Sequence, residues 1–310
     1  MEFLKFISAE METPVSFGWY HFMCLGIVIA IAVLFCIKLR DCSDKTFRFI
    51  TLIGWIIIVL LEIMKQFIFT YSVENNKIVT DFQWYAFPFQ LCSSPLYILP
   101  FVAFMKDCKI REFFTSFIST FSLFGGLVVL IYPNDVFIET TVINIQTMVH
   151  HGLQVVFGIW YAVHFRARGG IKYFLKSIPV FIVMLAIAVL LNETLGAYIV
   201  STGEDFSMFY VSSLVPNHLP ILSDVYKAVP WGVFLVAYLV GFCLVSALIY
   251  YIMVGIMALV RFISSKTKNN TKVTATEYEI SNYKENKGTA PDFTLGKQIN
   301  QVSFTITVTE

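Results

Sequence analysis

Seven stretches of about 20 or more mainly apolar residues, separated by more polar connections, fill most of the chain before residue 263. This spacing constrains the fold more than anything else in the sequence. A hydrocarbon core about 30 Å thick is crossed by roughly 20 apolar residues in a helix. A backbone in lipid must satisfy its own hydrogen bonds, which favours helices. The stretches lie at about 18–38, 47–71, 86–104, 110–132, 141–164, 175–200 and 230–262. The expectation is an all-α polytopic membrane protein: a bundle of about seven transmembrane helices over 1–262, then a flexible polar tail over 263–310. Apolar residues make up 57% of the chain and charged residues 14%, a balance outside that of soluble globular domains.

The net charge of +1 conceals a segregation of basic residues. With the N-terminus outside, the external segments hold only Lys5, Lys77 and Lys227. The cytosolic segments hold Lys38, Arg40, Lys45 and Arg48; Lys106, Lys109 and Arg111; Arg166, Arg168, Lys172 and Lys176; and seven more from Arg261 onward. That is 3 against 18, with Lys65 alone inside a span. The positive-inside rule therefore predicts an external N-terminus and a cytosolic C-terminus, and six or eight spans would scramble the alternation. Residues 1–17 carry Glu2, Glu10 and Glu12 against Lys5, whereas a cleaved signal would start basic. Topology accounts for the basic residues, so no nucleic-acid partner is expected. Cys24, Cys36, Cys92 and Cys243 fall in spans and Cys42 and Cys108 in cytosolic connections, so no disulfide framework is implied. In the tail, VSFTITV at 302–308 alternates like a strand, but a lone strand is marginal without a partner.

Pro88, Pro95 and Pro100 predict that the third span is not helical throughout. Such breaks survive at membrane depth where protein or a water-lined cavity satisfies the freed carbonyls. Gly125 and Gly126 suit close helix packing. The long external connection, 201–229, holds Phe206, Phe209, Tyr210, Pro216, His218 and Pro220, enough to fold back as a lid.

With a rise of about 1.5 Å per residue, the polar residues inside the spans fall at a common depth. Glu62, Lys65 and Gln66 lie roughly 8 to 14 Å below the outer boundary, Gln90 and Cys92 about 6 to 9 Å. Gln146, His150, His151 and Gln154 lie at roughly 8 to 20 Å, and Asn192 and Glu193 at roughly 10 to 12 Å. Ionisable groups in hydrocarbon are expensive, which marks such a layer as a functional cavity. Each residue also has a plainer role. Glu62 and Lys65, at i and i+3, can neutralise each other, and Asn and Gln can bond between helices. A thiol and an imidazole at matching depth form the minimal pair for nucleophilic catalysis. The His and Cys residues have no familiar zinc-ligand spacing, so no metal and no cofactor are expected. A retinal-type photoreceptor is disfavoured because the seventh span has no lysine for a Schiff base.

The strings FPFQLCSS at 87–94, FGGLVVLIYP at 124–133, VHHGLQVV at 149–156, NETLGAY at 192–198, DFSMFY at 205–210 and VPW at 229–231 occur in order. Together they resemble the YwaF family of integral membrane proteins over most of residues 84–235. That resemblance implies kinship with an animal membrane protein that remodels ether phospholipids by cysteine-dependent acyl transfer. It implies a more distant one with androgen-induced membrane hydrolases, which use a threonine nucleophile. It makes Cys92 the nucleophile and His151, of the His-Gly pair, the base, with His150 a competitor for that role. The animal enzyme has its cysteine directly after a proline, whereas Cys92 lies four residues beyond Pro88.

Two readings follow. In the first, the protein is a lipid acyltransferase or acyl hydrolase whose partner is a membrane lipid or lysolipid. Gln90, Gln154 and Asn192 would then stabilise an oxyanion, with Glu62, Lys65 and Glu193 also lining the site. In the second, the same polar layer makes a non-catalytic transporter or ligand-binding membrane protein. A structural membrane subunit with no cavity is a third possibility.

Overall fold

The structure, a computed structural model, describes residues 1–165 and 170–285. The strand-like 302–308 lies outside the described residues. The chain forms two units, Met1–Met257 and Ala258–Glu310, and every candidate site residue belongs to the first.

In that unit a short helix, α1 (Glu2–Ile7), precedes α2 (Trp19–Lys38) and α3 (Asp44–Ile68). Ser43 caps α3, its hydroxyl accepting from the Thr46 N–H at 3.2 Å. A hairpin follows, β1 (Tyr71–Glu74) antiparallel to β2 (Lys77–Thr80). Asn75 and Asn76, at φ 49° and 60°, supply the two left-handed residues that a tight two-residue turn needs. After 3₁₀ turns at Trp84–Ala86 and Leu91–Ser93 comes α4 (Ser94–Phe104). Helices α5 (Lys109–Phe117) and α6 (Leu123–Ile131) are joined by a π-helical turn, Ile118–Ser122. Then come α7 (Thr141–His164) and α8 (Ile171–Leu191), with α8 running through a second π-helical turn, Asn192–Gly196, into α9 (Ala197–Ser201). The connection beyond holds a 3₁₀ turn at Met208–Tyr210 and α10 (Leu222–Ala228). The last helix is α11 (Trp231–Glu285).

Among the described residues, five helical segments are long and apolar enough to cross a membrane: Trp19–Lys38, Asp44–Ile68, Lys109–Ile131, Ile171–Ser201 and Trp231–Val260. Of the two remaining expected spans, Leu91–Phe104 is shorter. The other, α7, is 24 residues long but interrupted by Asn144, Gln146, His150, His151 and Gln154. The chain is thus a multi-pass membrane protein of mainly helical fold. Its broken third stretch follows from Pro88 and Pro95: regular helix starts only at Ser94, with Pro95 in the first turn, where a proline removes no hydrogen bond.

Helix α7 is the hub. It packs against α2 on one side and α6 on the other and buries Trp160, Tyr161 and Phe157. Gly54 of α3 lies so close to the Phe157 ring that a Cβ there would collide with it. Thr51 and Tyr161 share a buried hydroxyl bond of 2.7 Å. At one end of the bundle the buried Arg111 reaches Asp44 at 2.6 Å, Asp107 at 3.1 Å and the Met105 carbonyl at 3.1 Å. Arg48 donates to the Ala103 and Phe104 carbonyls at the end of α4, groups the helix itself leaves unpaired.

Candidate functional site around the Cys92 turn

The Leu91–Ser93 turn is where the bundle's polar groups meet. Its Cys92 carbonyl accepts from two side chains of α7: His150 Nε2 at 2.8 Å and the Gln154 amide nitrogen. Residues 150 and 154 are one turn apart, so both face the same neighbour. Gly126 permits this approach, since a Cβ there would stand 2.8 Å from Gln154 Cβ and 2.9 Å from the His151 carbonyl. Helix α6 can therefore press α7 against the turn only if this position is bare.

The hydrogen bonds settle which ring nitrogens carry protons. A carbonyl only accepts, so His150 Nε2 is the N–H. His151 Nδ1 lies 2.7 Å from the Thr147 carbonyl and is the N–H of its ring. In the neutral imidazoles His150 Nδ1 and His151 Nε2 then bear lone pairs. Both are buried without a hydrogen-bond partner, as is Gln154 Oε1. The two rings meet edge to face, centroids 5.3 Å apart.

Across the turn, α3 contributes a closed cluster. Glu62 Oε1 takes Lys65 at 2.8 Å and the Gln66 amide at 2.7 Å, and the same amide donates to the Ala86 carbonyl at 2.9 Å. The charges of Glu62 and Lys65 act on both Cys92 and His150, so the cluster is an electrostatic neighbour of the turn.

Gln90 and Asn192 are engaged elsewhere than at Cys92. Gln90 donates to the Ser207 carbonyl at 2.9 Å and accepts from the Phe209 N–H at 2.7 Å. Asn192, in the π-helical turn, donates to the Met208 carbonyl at 3.0 Å and accepts from the Met208 N–H at 2.7 Å. Together they clamp Ser207–Phe209, whose Met208 and Phe209 are buried with Phe206. The clamp holds a strained backbone, because Phe209 and Tyr210 sit at φ 56° and 57°, the left-handed region that costs a non-glycine residue about 1–3 kcal/mol. Glu193 accepts from the Ser213 N–H at 3.2 Å and its hydroxyl at 2.7 Å, away from the turn.

The DFSMFY segment is thus folded into the bundle. The chain belongs to the TMEM164 family. The match to that family's model covers residues 16–251, all of the candidate site included. It corrects the YwaF resemblance: the ordered strings at 87–231 lie wholly within the TMEM164 match, a different family. Short strings of Pro, Gly and aromatic residues in apolar helices are shared by many membrane proteins, and only the pattern over the whole span separates families. No curated protein and no solved structure matches the chain.

The structure therefore gathers Cys92, His150, His151 and Gln154, with Glu62 and Lys65 within electrostatic reach, and sets Gln90, Asn192 and Glu193 on the folded-back connection. The sequence offers Tyr210 only as an aromatic of the long connection. Desolvation raises its phenol above the ordinary value, although the residue is 39% exposed. Ser94 and Ser122, both buried without a partner for the hydroxyl, also belong to this region and carried no sequence signal. Among the described residues no three His, Cys, Asp or Glu side chains are grouped to hold a metal ion.

Proposed function

We propose that this member of the TMEM164 family is a membrane-embedded acyltransferase that moves a lipid acyl group through a thioester on Cys92, with His150 as the base. The observation that carries this reading is the docking of His150 on the Cys92 turn at 2.8 Å. That bond consumes the Nε2 proton and leaves Nδ1 free as the basic atom. Gln154, bound to the same carbonyl, makes the arrangement two-pointed.

In the first step the Cys92 sulfur attacks an ester carbonyl, and the thiol proton passes to His150 Nδ1. The C–O bond then breaks, and the same proton goes to the departing lipid oxygen. In the second step a lysolipid hydroxyl attacks the thioester carbonyl and gives its proton to His150. The C–S bond breaks, and that proton returns to the thiolate. His151 holds the alternative position for the base, one residue on. With Leu91–Phe104 and α7 counted beside the five long apolar segments, the reading has seven spans. The basic-residue count puts the N-terminus outside and the Cys92 turn in the outer half of the bilayer, with the residues after 262 as a cytosolic tail.

A transport reading would use the charges of the polar layer. Glu62 and Lys65 are paired with each other and Glu193 is bonded to Ser213, which favours acyl transfer. The test is labelling of the solubilised protein by a lipid-like acyl probe with a thiol-reactive ester. We expect Cys92→Ala to abolish labelling and His150→Ala to slow it by about 10²- to 10⁴-fold. Undiminished labelling of the folded Cys92→Ala protein would overturn the mechanism.

A further inference from the structure

Helix α3 carries a hollow stripe on its outer side. Val59, Glu62, Ile63, Gln66, Phe67 and Thr70 recur at i, i+3, i+4, i+7, i+8 and i+11, which puts them on one face of the helix over about 16 Å of its length. They line a cavity of about 330 Å³ that is bounded on its other side by Leu96 of α4. Two hydrogen bonds tie α3 to the chain opposite. The Trp55 indole donates to the Leu96 carbonyl at 2.9 Å, and the Gln66 amide donates to the Ala86 carbonyl at 2.9 Å. These bonds hold both ends of the 86–96 segment, which contains Cys92. The charges of Glu62 and Lys65, from the same stretch of α3, act on Cys92. The groove therefore runs beside the Cys92 turn, on a different side from the His150 and Gln154 bonds of α7.

The setting calls for hydrocarbon. Ile63 and Phe67 are 49% and 48% exposed, and they belong to Asp44–Ile68, one of the segments long and apolar enough to cross a membrane. The groove thus opens on the lipid-facing flank. Its polar wall residues bond within the protein: Glu62 accepts from Lys65 and Gln66, and the Thr70 hydroxyl donates to the Gln66 carbonyl at 2.6 Å. Lipid tails are as apolar as such a wall, so what binds there is selected by packing. An unfilled hollow forfeits dispersion contacts on one side. A straight chain fills this one, because its long axis follows the helix as lipid chains follow the bilayer normal. The two ends differ in the sense a lipid requires. Thr70 and Tyr71 stand next to the polar hairpin, and Val59 and Leu96 lie towards the apolar end.

We propose that the groove between α3 and α4 holds one acyl chain of the donor lipid lengthwise beside the Cys92 turn, and that it selects long acyl chains over short ones. This deepens the acyl-transfer reading and rests on it for the use of the chain, whereas occupancy of the groove is measured without catalysis.

The test uses the full-length Cys92→Ala protein in phosphatidylcholine vesicles doped with a phosphatidylcholine that carries a diazirine midway along one acyl chain. Irradiation places adducts on Val59, Ile63, Phe67 and Leu96 in excess of those on similarly exposed residues of another flank, Ile29 and Val33 of α2. Ile63→Trp and Leu96→Trp, each filling the groove, lower the adducts on the remaining lining residues by about tenfold. Leu60→Trp, 57% exposed on the same helix and outside the lining, leaves them unchanged. Should one of the two filling variants fail to fold, the other decides. Adducts spread evenly over the exposed flanks, adducts retained in the filling variants, or a groove without adducts because a second copy of the chain covers it overturns the proposal. In the Cys92-containing protein, Ile63→Trp lowers the ratio of labelling by a long-chain acyl probe to labelling by its short-chain counterpart, again by about tenfold. An unchanged ratio overturns the selection of long chains. Failure of the wild type to label with either probe counts against the thioester mechanism alone, since the adducts are read in a protein that lacks Cys92.

Discussion

Two polar clusters face the Cys92 turn, and they are built in opposite ways. On α3, Glu62, Lys65 and Gln66 close on one another and on the Ala86 carbonyl. On α7, His150, His151 and Gln154 each spend a donor on a carbonyl and keep an acceptor unused. The first pattern is what stability requires of charge in an apolar setting: every group has its partner. The second leaves acceptors that contribute nothing to the fold and can be satisfied from outside it. On the proposed reading, the state of their hydrogen bonds is what separates the structural polar residues from the functional ones.

This comparison can be broken by substitution. The largest loss of stability should come from Glu62→Ala, which strands the Lys65 ammonium, itself 17% exposed. We expect about 3–5 kcal/mol, read as heat-induced loss of soluble protein in detergent, with the double change Glu62→Leu, Lys65→Met recovering most of it. Next is Asn192→Leu, which removes both partners of the Met208 backbone. Its expected cost is about 1–3 kcal/mol for the orphaned groups, together with faster protease cleavage between 201 and 222. Gly126→Val, forcing a side chain against Gln154 Cβ and the His151 carbonyl, should cost about 1–3 kcal/mol and lower acyl-probe labelling by displacing α7. The smallest stability effect belongs to His151→Phe. It deletes an unpartnered acceptor together with the one bond that Nδ1 donates to the Thr147 carbonyl, and the change should stay within about 1 kcal/mol of wild type. A loss as large as that of Glu62→Ala would erase the distinction between the clusters.

Much of the helical frame was legible from hydropathy. The expected 141–164 is helix Thr141–His164, and 18–38 is helix Trp19–Lys38. Prolines marked the broken third stretch. The 71–80 hairpin went unread because its signal is two consecutive asparagines in a polar connection, which also suit an irregular loop. The short ordered strings point to a different family from the one that the match over 16–251 identifies. Within the site, helical rise applied to the sequence grouped Glu62, Cys92, His150, His151 and Gln154 as one polar layer, and the structure brings His150 and Gln154 onto the Cys92 carbonyl. The partners could not be read. The sequence suggests Gln90 and Asn192 as oxyanion donors, whereas in the fold both clamp Ser207–Phe209.

The sequence by itself determined the apolar surroundings and much of the helical frame, since both follow from local composition and a fixed rise per residue. Tertiary structure alone decided which imidazole faces the Cys92 turn, which ring nitrogen keeps its lone pair and where the 206–210 segment folds. The reason is that a hydrogen bond is made between atoms about 3 Å apart. Residues 58 and 117 positions apart, as in His150 with Cys92 and Gln90 with Ser207, meet only once the helices have packed.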